Sequence, residues 1–248
     1  MTALVVRASI SVDPGLLWNY LSTASGLACW QADQVEGSLE DGAFSLRWPQ
    51  LGARLDLTVT QWEKEARLLL RAGGTSLELL QGPQSVELRH GGLDDEDDLA
   101  GLESSWQAAL ALLEIAATRH PRKTRKVHWL FAPFSGSAEL AHHYFTDPAG
   151  LAFWLGSTDG PLLGGQDFQL KADDQQLTGT TLYSGRDVAL RLRELDDGSV
   201  ILRTLPGPER CRIVAIGLSS FVGLPPADLI DLFQRGIRRL ELLRPAAG

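Results

Sequence analysis

The chain has 248 residues and a formal net charge of −8, with 44% hydrophobic and 22% charged residues. This composition is typical of a folded, water-soluble chain that is long enough for one large domain or two small ones. Residues 1–121 carry 8 Lys and Arg against 17 Asp and Glu, while residues 122–248 carry 15 against 14. Because the first half is so acidic and has no basic stripe, nucleic acid and anionic membrane surfaces are not expected partners.

The two cysteines, Cys29 and Cys211, are too few for a disulfide framework and do not have zinc-ligand spacing. The N-terminal residues alternate between apolar and polar without a basic leader, and the longest apolar run, AALALLEIAA, is interrupted by Glu114. We therefore expect a cytoplasmic protein without membrane insertion, metal or cofactor. A single Met beside abundant Leu, Ala, Arg and Gly suits a GC-rich bacterial genome.

The first half predicts one antiparallel sheet enclosed by helices. An alternating strand pattern over residues 5–12 is followed by two short helices within residues 14–30, the first opened by Pro14. Five further alternating segments predict strands at 43–48, 54–62, 67–71, 76–80 and 84–90. Their apolar residues share one face, which is typical of a sheet with one buried side.

The first half ends in a long helix, indicated by Leu99, Leu102 and Trp106 at helical spacing. Five acidic residues at 94–98 stand before it, where the helix dipole favours negative charge. We interpret the run as a helix start, with a partner-binding role as the alternative.

A basic segment at residues 119–126, with Pro121 inside it, separates this helix from a new strand pattern. We interpret the segment as a solvated linker, and contact with an acidic partner is the alternative. The predicted domains are therefore residues 1–121 and residues 122–248.

The second half repeats the plan of the first. It predicts a strand at 126–132, helices near 138–145 and 148–155, further strands, and a closing helix from about 226 to 243. Residues 20–30 align without gaps on residues 144–154, which lie 124 positions later, and the two segments share Tyr, Gly and Trp at matching places. So long a period indicates duplicated domains.

This order of elements resembles the START-like (SRPBCC) helix-grip proteins, and the first half is similar to the AHSA type, named after an activator of a heat-shock chaperone ATPase. The segments that carry the resemblance are residues 5–12, 17–30, 42–48, 57–62 and 86–92, with the helix that begins near Leu99. The second half matches less well, because residues 217–221 replace the strand-ending His-x-Gly. The resemblance implies an α+β fold of two helix-grip domains, each a curved antiparallel sheet wrapped on a long C-terminal helix.

The resemblance also implies a function, since START-like proteins hold apolar ligands between sheet and helix, and a minority are cyclases or hydrolases. We expect a non-catalytic protein that binds a small apolar ligand in this cavity. The alternatives are a protein-interaction or co-chaperone-like regulator and, less favoured, an enzyme that uses His90. We expect the two domains to pair either within one chain or across a homodimer.

Four residues are the predicted ligand-binding set: Trp30, Trp48, His90 and Trp106. His90 shares a strand face with Val86 and Leu88, so it is predicted to point toward the helix. A buried histidine bonded to the backbone is the favoured interpretation, and an acid–base role is the alternative. Trp48 has inward parity, although packing of the sheet explains it as well.

No pattern in the sequence predicts a catalytic residue. The HExxH, GxSxG, GxGxxG and GxxxxGK[ST] motifs are absent, and His142 and His143 diverge by roughly 100° on a helix. Asp33 and Glu36 stand near the expected cavity mouth and are interpreted as solvated carboxylates. Alternating arginines in the second half predict a basic or simply solvated sheet face: Arg186, Arg191, Arg193, Arg203, Arg210 and Arg212.

Overall fold

The computed structural model describes residues 2–207 and 211–243. The chain divides into two compact units, Met1–Arg125 (unit 1) and Lys126–Gly248 (unit 2). Within the described residues, each unit consists of seven antiparallel strands and three α-helices. Two sheets of this kind confirm the predicted α+β class.

In unit 1, the first and the last strand along the chain lie next to each other in the sheet. The strands are β1 Thr2–Ser9, β2 Gln34–Ser38, β3 Ala43–Trp48, β4 Ala53–Glu63, β5 Arg67–Ala72, β6 Thr75–Gly82 and β7 Ser85–Leu93. The helices are α1 Pro14–Ser22, α2 Ala24–Leu27 and α3 Leu99–Thr118. The sheet order is β1-β7-β6-β5-β4-β3-β2, and α3 packs mainly against β1. A curved sheet closed by a long C-terminal helix is the helix-grip arrangement that the resemblance predicted.

Local sequence explains where the helices of unit 1 begin. Asp13 accepts a hydrogen bond from the Leu16 amide at 3.0 Å, and Pro14 occupies the first turn of α1. Asp98 caps α3 through the Gly101 amide at 3.1 Å. The acidic run therefore supplies this cap, as the helix-start interpretation expected.

The pattern analysis missed strand β2, Gln34–Ser38. This strand is polar, lies at the edge of the sheet and contains Gly37 at a φ of +98°. Because such a strand has no alternating apolar residues, it gives no periodic signal. Strand β1 also ends at Ser9 rather than continuing to residue 12, and the chain then turns to the Asp13 cap.

Unit 2 has the same topology. Its elements are β8 Lys126–Phe134, α4 Ala138–Thr146, α5 Pro148–Trp154, β9 Ser157–Thr158, β10 Asp167–Ala172, β11 Gln175–Ser184, β12 Val188–Leu192, β13 Gly198–Pro206, β14 Arg212–Ser220 and α6 Ala227–Glu241. The sheet order is β8-β14-β13-β12-β11-β10-β9. The first strand again pairs with the last, and α6 packs mainly against β8.

The internal repeat is visible in hydrogen bonds as well as in topology. The Trp30 indole N–H donates to the Tyr20 carbonyl at 3.0 Å, and the Trp154 indole N–H donates to the Tyr144 carbonyl at 2.7 Å. Gly26 and Gly150, which also correspond, each lie against the backbone of the preceding helix, where a Cβ atom would meet a carbonyl oxygen at 2.1 Å or 2.5 Å. The aligned residues therefore hold two helical turns together in the same way in both units.

The interpretation of residues 119–126 as a solvated linker is wrong at two positions. His120 and Arg125 are buried, with 4% and 9% of their surface exposed. The Arg125 guanidinium donates to the Ala32 carbonyl at 2.7 Å and lies 3.6 Å from the Asp33 carboxylate. The sequence suggests that this basic run is solvated, because the partners of Arg125 lie about ninety residues earlier in the chain.

Candidate functional site

Unit 1 has a small cavity on the buried face of its sheet. Its volume is about 20 Å³, enough for a group the size of one water molecule. Leucines from five strands and two tryptophans form most of its wall. The lining residues are Leu27, Trp30, Gln31, Leu46, Leu57, Leu70, Leu77, Leu79, Leu88 and Trp106. Two of the four predicted ligand-binding residues, Trp30 and Trp106, are therefore brought together here.

Trp30 is held in place by its polar end. It follows α2, and its indole N–H is satisfied by the Tyr20 carbonyl at 3.0 Å. Trp30 is 2% exposed, so nearly its whole ring lies inside unit 1. Because its only donor is already used, Trp30 offers the cavity an apolar wall and no polar group.

Gln31 also lines this cavity, although the surface that faces the cavity is apolar, and the sequence analysis did not select this residue. Its side-chain oxygen Oε1 is buried and has no hydrogen-bond partner. A buried acceptor left unpaired costs about 1–3 kcal/mol. In the sequence, Gln31 could have been noticed as an amide residue directly after Trp30. The direction of the Gln31 side chain, however, depends on the turn that follows α2.

Trp106 is fixed by His90. Its indole N–H donates to His90 Nδ1 at 3.2 Å, and the two rings meet edge to face at 5.9 Å between centroids. The partner of His90 is thus a side chain, rather than the backbone group that the sequence interpretation favoured. Burial lowers the pKa of His90, and the charge of Asp97 acts in the opposite direction. His90 is not among the residues that line the cavity.

Trp48 lies apart from this group. It ends β3, pairs with Ala53 and precedes a single 3-10 turn at Pro49–Leu51. The ring is half-buried and does not line the cavity. Its parity with Phe44 and Leu46 is as predicted, but Trp48, at the end of the strand, is not part of the cavity wall.

The two carboxylates near the expected cavity mouth are both ion-paired. Asp33 is buried beside Arg125, with 9% of its side chain exposed, so the interpretation of Asp33 as solvated is wrong. Glu36 lies on β2 and pairs with Arg47 at 2.9 Å, with 60% of its side chain exposed. Neither carboxylate lines the cavity.

The buried interior of unit 2 contains packed aromatic rings. Phe233 of α6, which corresponds to Trp106, is 1% exposed and lies 6.3 Å from the ring of Trp154. Phe145 also packs against Trp154, at 6.2 Å between ring centroids. The interior between this sheet and α6 is thus part of a continuous cluster of buried side chains.

Three of the alternating arginines of unit 2 form ion pairs with carboxylates. Arg203 lies 2.9 Å from the buried carboxylate of Asp187, and Arg191 lies 3.8 Å from Asp197. Arg186 lies 3.6 Å from Glu139. Arg210 lies outside the described residues. These ion pairs favour a structural role for Arg186, Arg191 and Arg203 over a free basic face.

No group of three or more His, Cys, Asp or Glu in residues 2–207 and 211–243 is placed to hold a metal ion. Over the same part of the chain, none of the helices combines the length and the apolar character needed to cross a membrane.

Comparison with known proteins gives structural neighbours only. No family profile and no curated protein matches the sequence. The Aha1 dimer from Colwellia psychrerythraea is 20% identical and matches 47% of this chain and 96% of its own, with a TM-score of 0.41. The AHSA1-like protein from Aeromonas hydrophila is 15% identical over 47% of this chain and 90% of its own, with a TM-score of 0.39. DynU16, from the dynemicin biosynthetic locus, is 17% identical over 96% of this chain and 94% of its own, with a TM-score of 0.41.

Aha1- and AHSA1-like proteins are thus among the structures that the chain resembles, as the sequence predicted, and each matches about half of it. At such low identities and TM-scores the similarity says nothing of activity, ligand or assembly.

Proposed function

We propose that the chain is a non-catalytic binding protein whose unit 1 holds a small apolar ligand carrying one hydrogen-bond donor. The observation that carries this proposal is an apolar cavity of leucine and tryptophan whose lining residue Gln31 has a buried Oε1 without a hydrogen-bond partner, which a ligand reaches once the cavity widens. A ligand hydroxyl or N–H bonded to this oxygen satisfies the acceptor, while an apolar ligand body contacts Trp30 and Trp106. None of the lining residues is an acid, a base or a nucleophile, which favours binding over catalysis.

The cavity must widen to admit such a ligand, and movement of the first half of α3 would widen it. In the first half of α3, residues 99–107, Ser104 is the one buried residue. The second half is buried at many positions: Ala108, Leu110, Leu112, Leu113, Ile115, Ala116 and Ala117. Because few contacts hold the first half, it opens at lower free energy than the second. Trp106 belongs to this loosely held half and would move with it.

The predicted site residues have different roles in ligand binding. Trp30, Gln31 and Trp106 contact the ligand, and His90 positions Trp106 through its ring nitrogen. Trp48 has no part in this site.

The test uses two probes that differ in a single donor. 2-Naphthol has an apolar body and one hydroxyl, and 2-methoxynaphthalene has the same body without the donor. We expect 2-naphthol to quench tryptophan fluorescence saturably and to bind at least about fivefold more tightly, because one hydrogen bond contributes about 1 kcal/mol.

The Gln31→Leu variant should bind both probes equally, whereas the matched Gln61→Leu variant, changed on the exposed part of β4, should keep the preference. Absence of saturable binding by both probes would overturn the proposal. Equal binding of both probes by the unaltered protein would overturn the role of Gln31.

A protein-interaction role is the second candidate, and the exposed apolar face of α4 and α5 favours it. Leu140 and Phe153 are each 44% exposed, and Tyr144 lies between them, 5.5 Å from the Phe153 ring centroid. If this face joins two copies of the chain, sedimentation equilibrium should show a dimer that Leu140→Ser with Phe153→Ser weakens. The Leu163→Ser variant, changed at a comparably exposed position in unit 2, is the control. A monomer at all protein concentrations would end this candidate.

A further inference from the structure

The turn after α3 holds an arginine in a backbone conformation that favours glycine. The Lys123 amide donates to the His120 carbonyl at 3.1 Å, which closes a four-residue turn with Pro121 second and Arg122 third. Arg122 has a φ of +62°. In a turn of this type the third position suits Gly or Asn, and another L-residue there costs about 1–2 kcal/mol.

The strained turn is anchored to the helices of unit 1. The Tyr20 hydroxyl accepts from the Arg122 amide at 3.1 Å and reaches the Ala116 carbonyl at 2.9 Å. The Cys29 thiol donates to the Lys123 carbonyl at 3.3 Å. Tyr20 is 4% exposed, so this anchor is inside the unit. The backbone that carries Arg122 and Lys123 is therefore fixed, while both side chains remain exposed.

Between this turn and helices α1 and α2 lies an open cleft of about 280 Å³. Its lining combines two cationic residues, several hydroxyls and an amide with apolar side-chain surface. The lining residues are Leu16, Asn19, Tyr20, Thr23, Ser25, Gly26, Cys29, Arg122, Lys123 and Thr124. No carboxylate lines the cleft, and within the described part of the chain no acidic side chain forms an ion pair with Arg122 or Lys123.

The charge of the cleft is opposite to that of the unit around it. Residues 1–125 carry 11 Lys and Arg against 17 Asp and Glu, and three of those basic residues fall within the last four positions. Arg122 and Lys123 provide two positive charges at a fixed site, and Thr124 and Ser25 provide hydroxyl donors beside them. Two cations with neutral donors suit a doubly charged oxyanion.

We propose that this cleft binds the phosphate group of a small phosphomonoester, with Arg122 and Lys123 on the oxyanion and the ester group against Leu16 and Tyr20. This site lies outside the cavity of Gln31 and does not depend on the function proposed for it. The cost of keeping an arginine in the left-handed conformation is then offset by the placement of its charge.

Inorganic phosphate and phenyl phosphate are the probes, titrated into the full chain at constant ionic strength and followed by amide NMR shifts. We expect saturable shifts at residues 23–26 and 122–124, with tighter binding of phenyl phosphate, because its ring adds contact with Leu16 and Tyr20. Acetate, a single charge, should bind more weakly than either probe.

Three variants distinguish a specific phosphate site from nonspecific attraction by positive charge. Arg122→Ala with Lys123→Ala should weaken phosphate binding about tenfold or more. Lys64→Ala with Arg71→Ala removes the same charge from exposed positions of unit 1 outside the cleft and should leave binding within about twofold. Arg122→Gly relieves the strained backbone, so its urea midpoint should stay the same or rise while its phosphate affinity falls.

Three results would overturn the proposal. The first is an amide shift that keeps rising linearly with phosphate concentration, which indicates an adventitious ion only. The second is an equal loss of phosphate affinity in the two double variants. The third is unchanged phosphate affinity in Arg122→Gly. Circular dichroism of each variant confirms that the fold is retained, so that a loss of binding reports on the cleft.

Discussion

The indole N–H of Trp106 donates to Nδ1 of His90 at 3.2 Å, which ties the loosely held half of α3 to the end of β7. An accepting Nδ1 carries no proton, so this bond requires the neutral imidazole with its proton on Nε2. Burial lowers the pKa of His90, which favours the same neutral form. The pair therefore explains the position of Trp106 and predicts that the stability of unit 1 depends on pH.

The stability of unit 1 should fall in weakly acidic solution. Since the folded pKa of His90 lies below the unfolded value of about 6.5, the unfolded chain binds the proton first as the pH drops. The stabilising contribution is present above about pH 6.5 and is lost as the pH falls through the lower folded pKa. Urea midpoints measured between pH 5 and 8 test this. In His90→Gln, which keeps an acceptor but does not titrate, the dependence should flatten, and an unchanged slope would contradict the assignment.

Replacing the orphaned acceptor of Gln31 should stabilise the protein. Gln31→Leu removes a buried oxygen that has no partner, so the free energy of unfolding should rise by about 1–2 kcal/mol. Gln31→Glu places a charge in the same apolar surroundings and should lower it. Urea denaturation of both variants without ligand is the measurement. A destabilised Gln31→Leu would mean that Oε1 has a partner in solution.

The matched tryptophan bonds predict matched losses in the two units. Trp30→Phe and Trp154→Phe each leave a tyrosine carbonyl without its donor and a gap where the indole was. Each should lower the free energy of unfolding by about 1–3 kcal/mol. Trp62→Phe, at a position 47% exposed, should change it by less than about 0.5 kcal/mol. If only one of the two variants lost stability, the two equivalent hydrogen bonds would not stabilise their units equally.

Close helix contacts make two glycines intolerant of any side chain. A Cβ atom at Gly26 would lie 2.1 Å from the Asn19 carbonyl oxygen, and at Gly150 it would lie 2.5 Å from that of His143. Gly26→Ala and Gly150→Ala should each destabilise by about 2–3 kcal/mol, because backbone rather than a flexible side chain must move. Gly74→Ala and Gly160→Ala meet nothing within 4 Å and are the controls. Thermal unfolding that ranks all four variants alike would refute the contact argument.

Arg125 should be essential to the stability of unit 1. Its guanidinium is buried against the Ala32 carbonyl and the Asp33 carboxylate, so Arg125→Met removes the hydrogen bond to the Ala32 carbonyl and an ion pair of the buried Asp33 carboxylate. The expected loss is about 3–5 kcal/mol by urea denaturation. Arg119→Met, at an exposed position five residues after Glu114, should change stability by less than about 0.5 kcal/mol. Similar small effects from both would restore the interpretation of this segment as solvated.

Much of the fold follows from the sequence because its causes are local. Alternation of apolar residues sets which face of each strand is buried, as with Phe44, Leu46 and Leu57, and Asp13 with Pro14 sets the start of α1. The repeat at 124 residues predicts that the helical turns around Trp30 and Trp154 share a structure, and identical hydrogen bonds show that they do.

The candidate sites, in contrast, depend on contacts between distant parts of the chain. Trp106 meets His90 only after β7 and α3 pack together, and the position of Gln31 depends on how the chain leaves α2. Arg125 reaches a carbonyl 93 residues away, so its charge run looked solvated in the sequence. Periodicity and capping residues report the local backbone and its buried face, whereas side-chain partners are decided by tertiary packing, where burial makes an unpaired acceptor or charge costly.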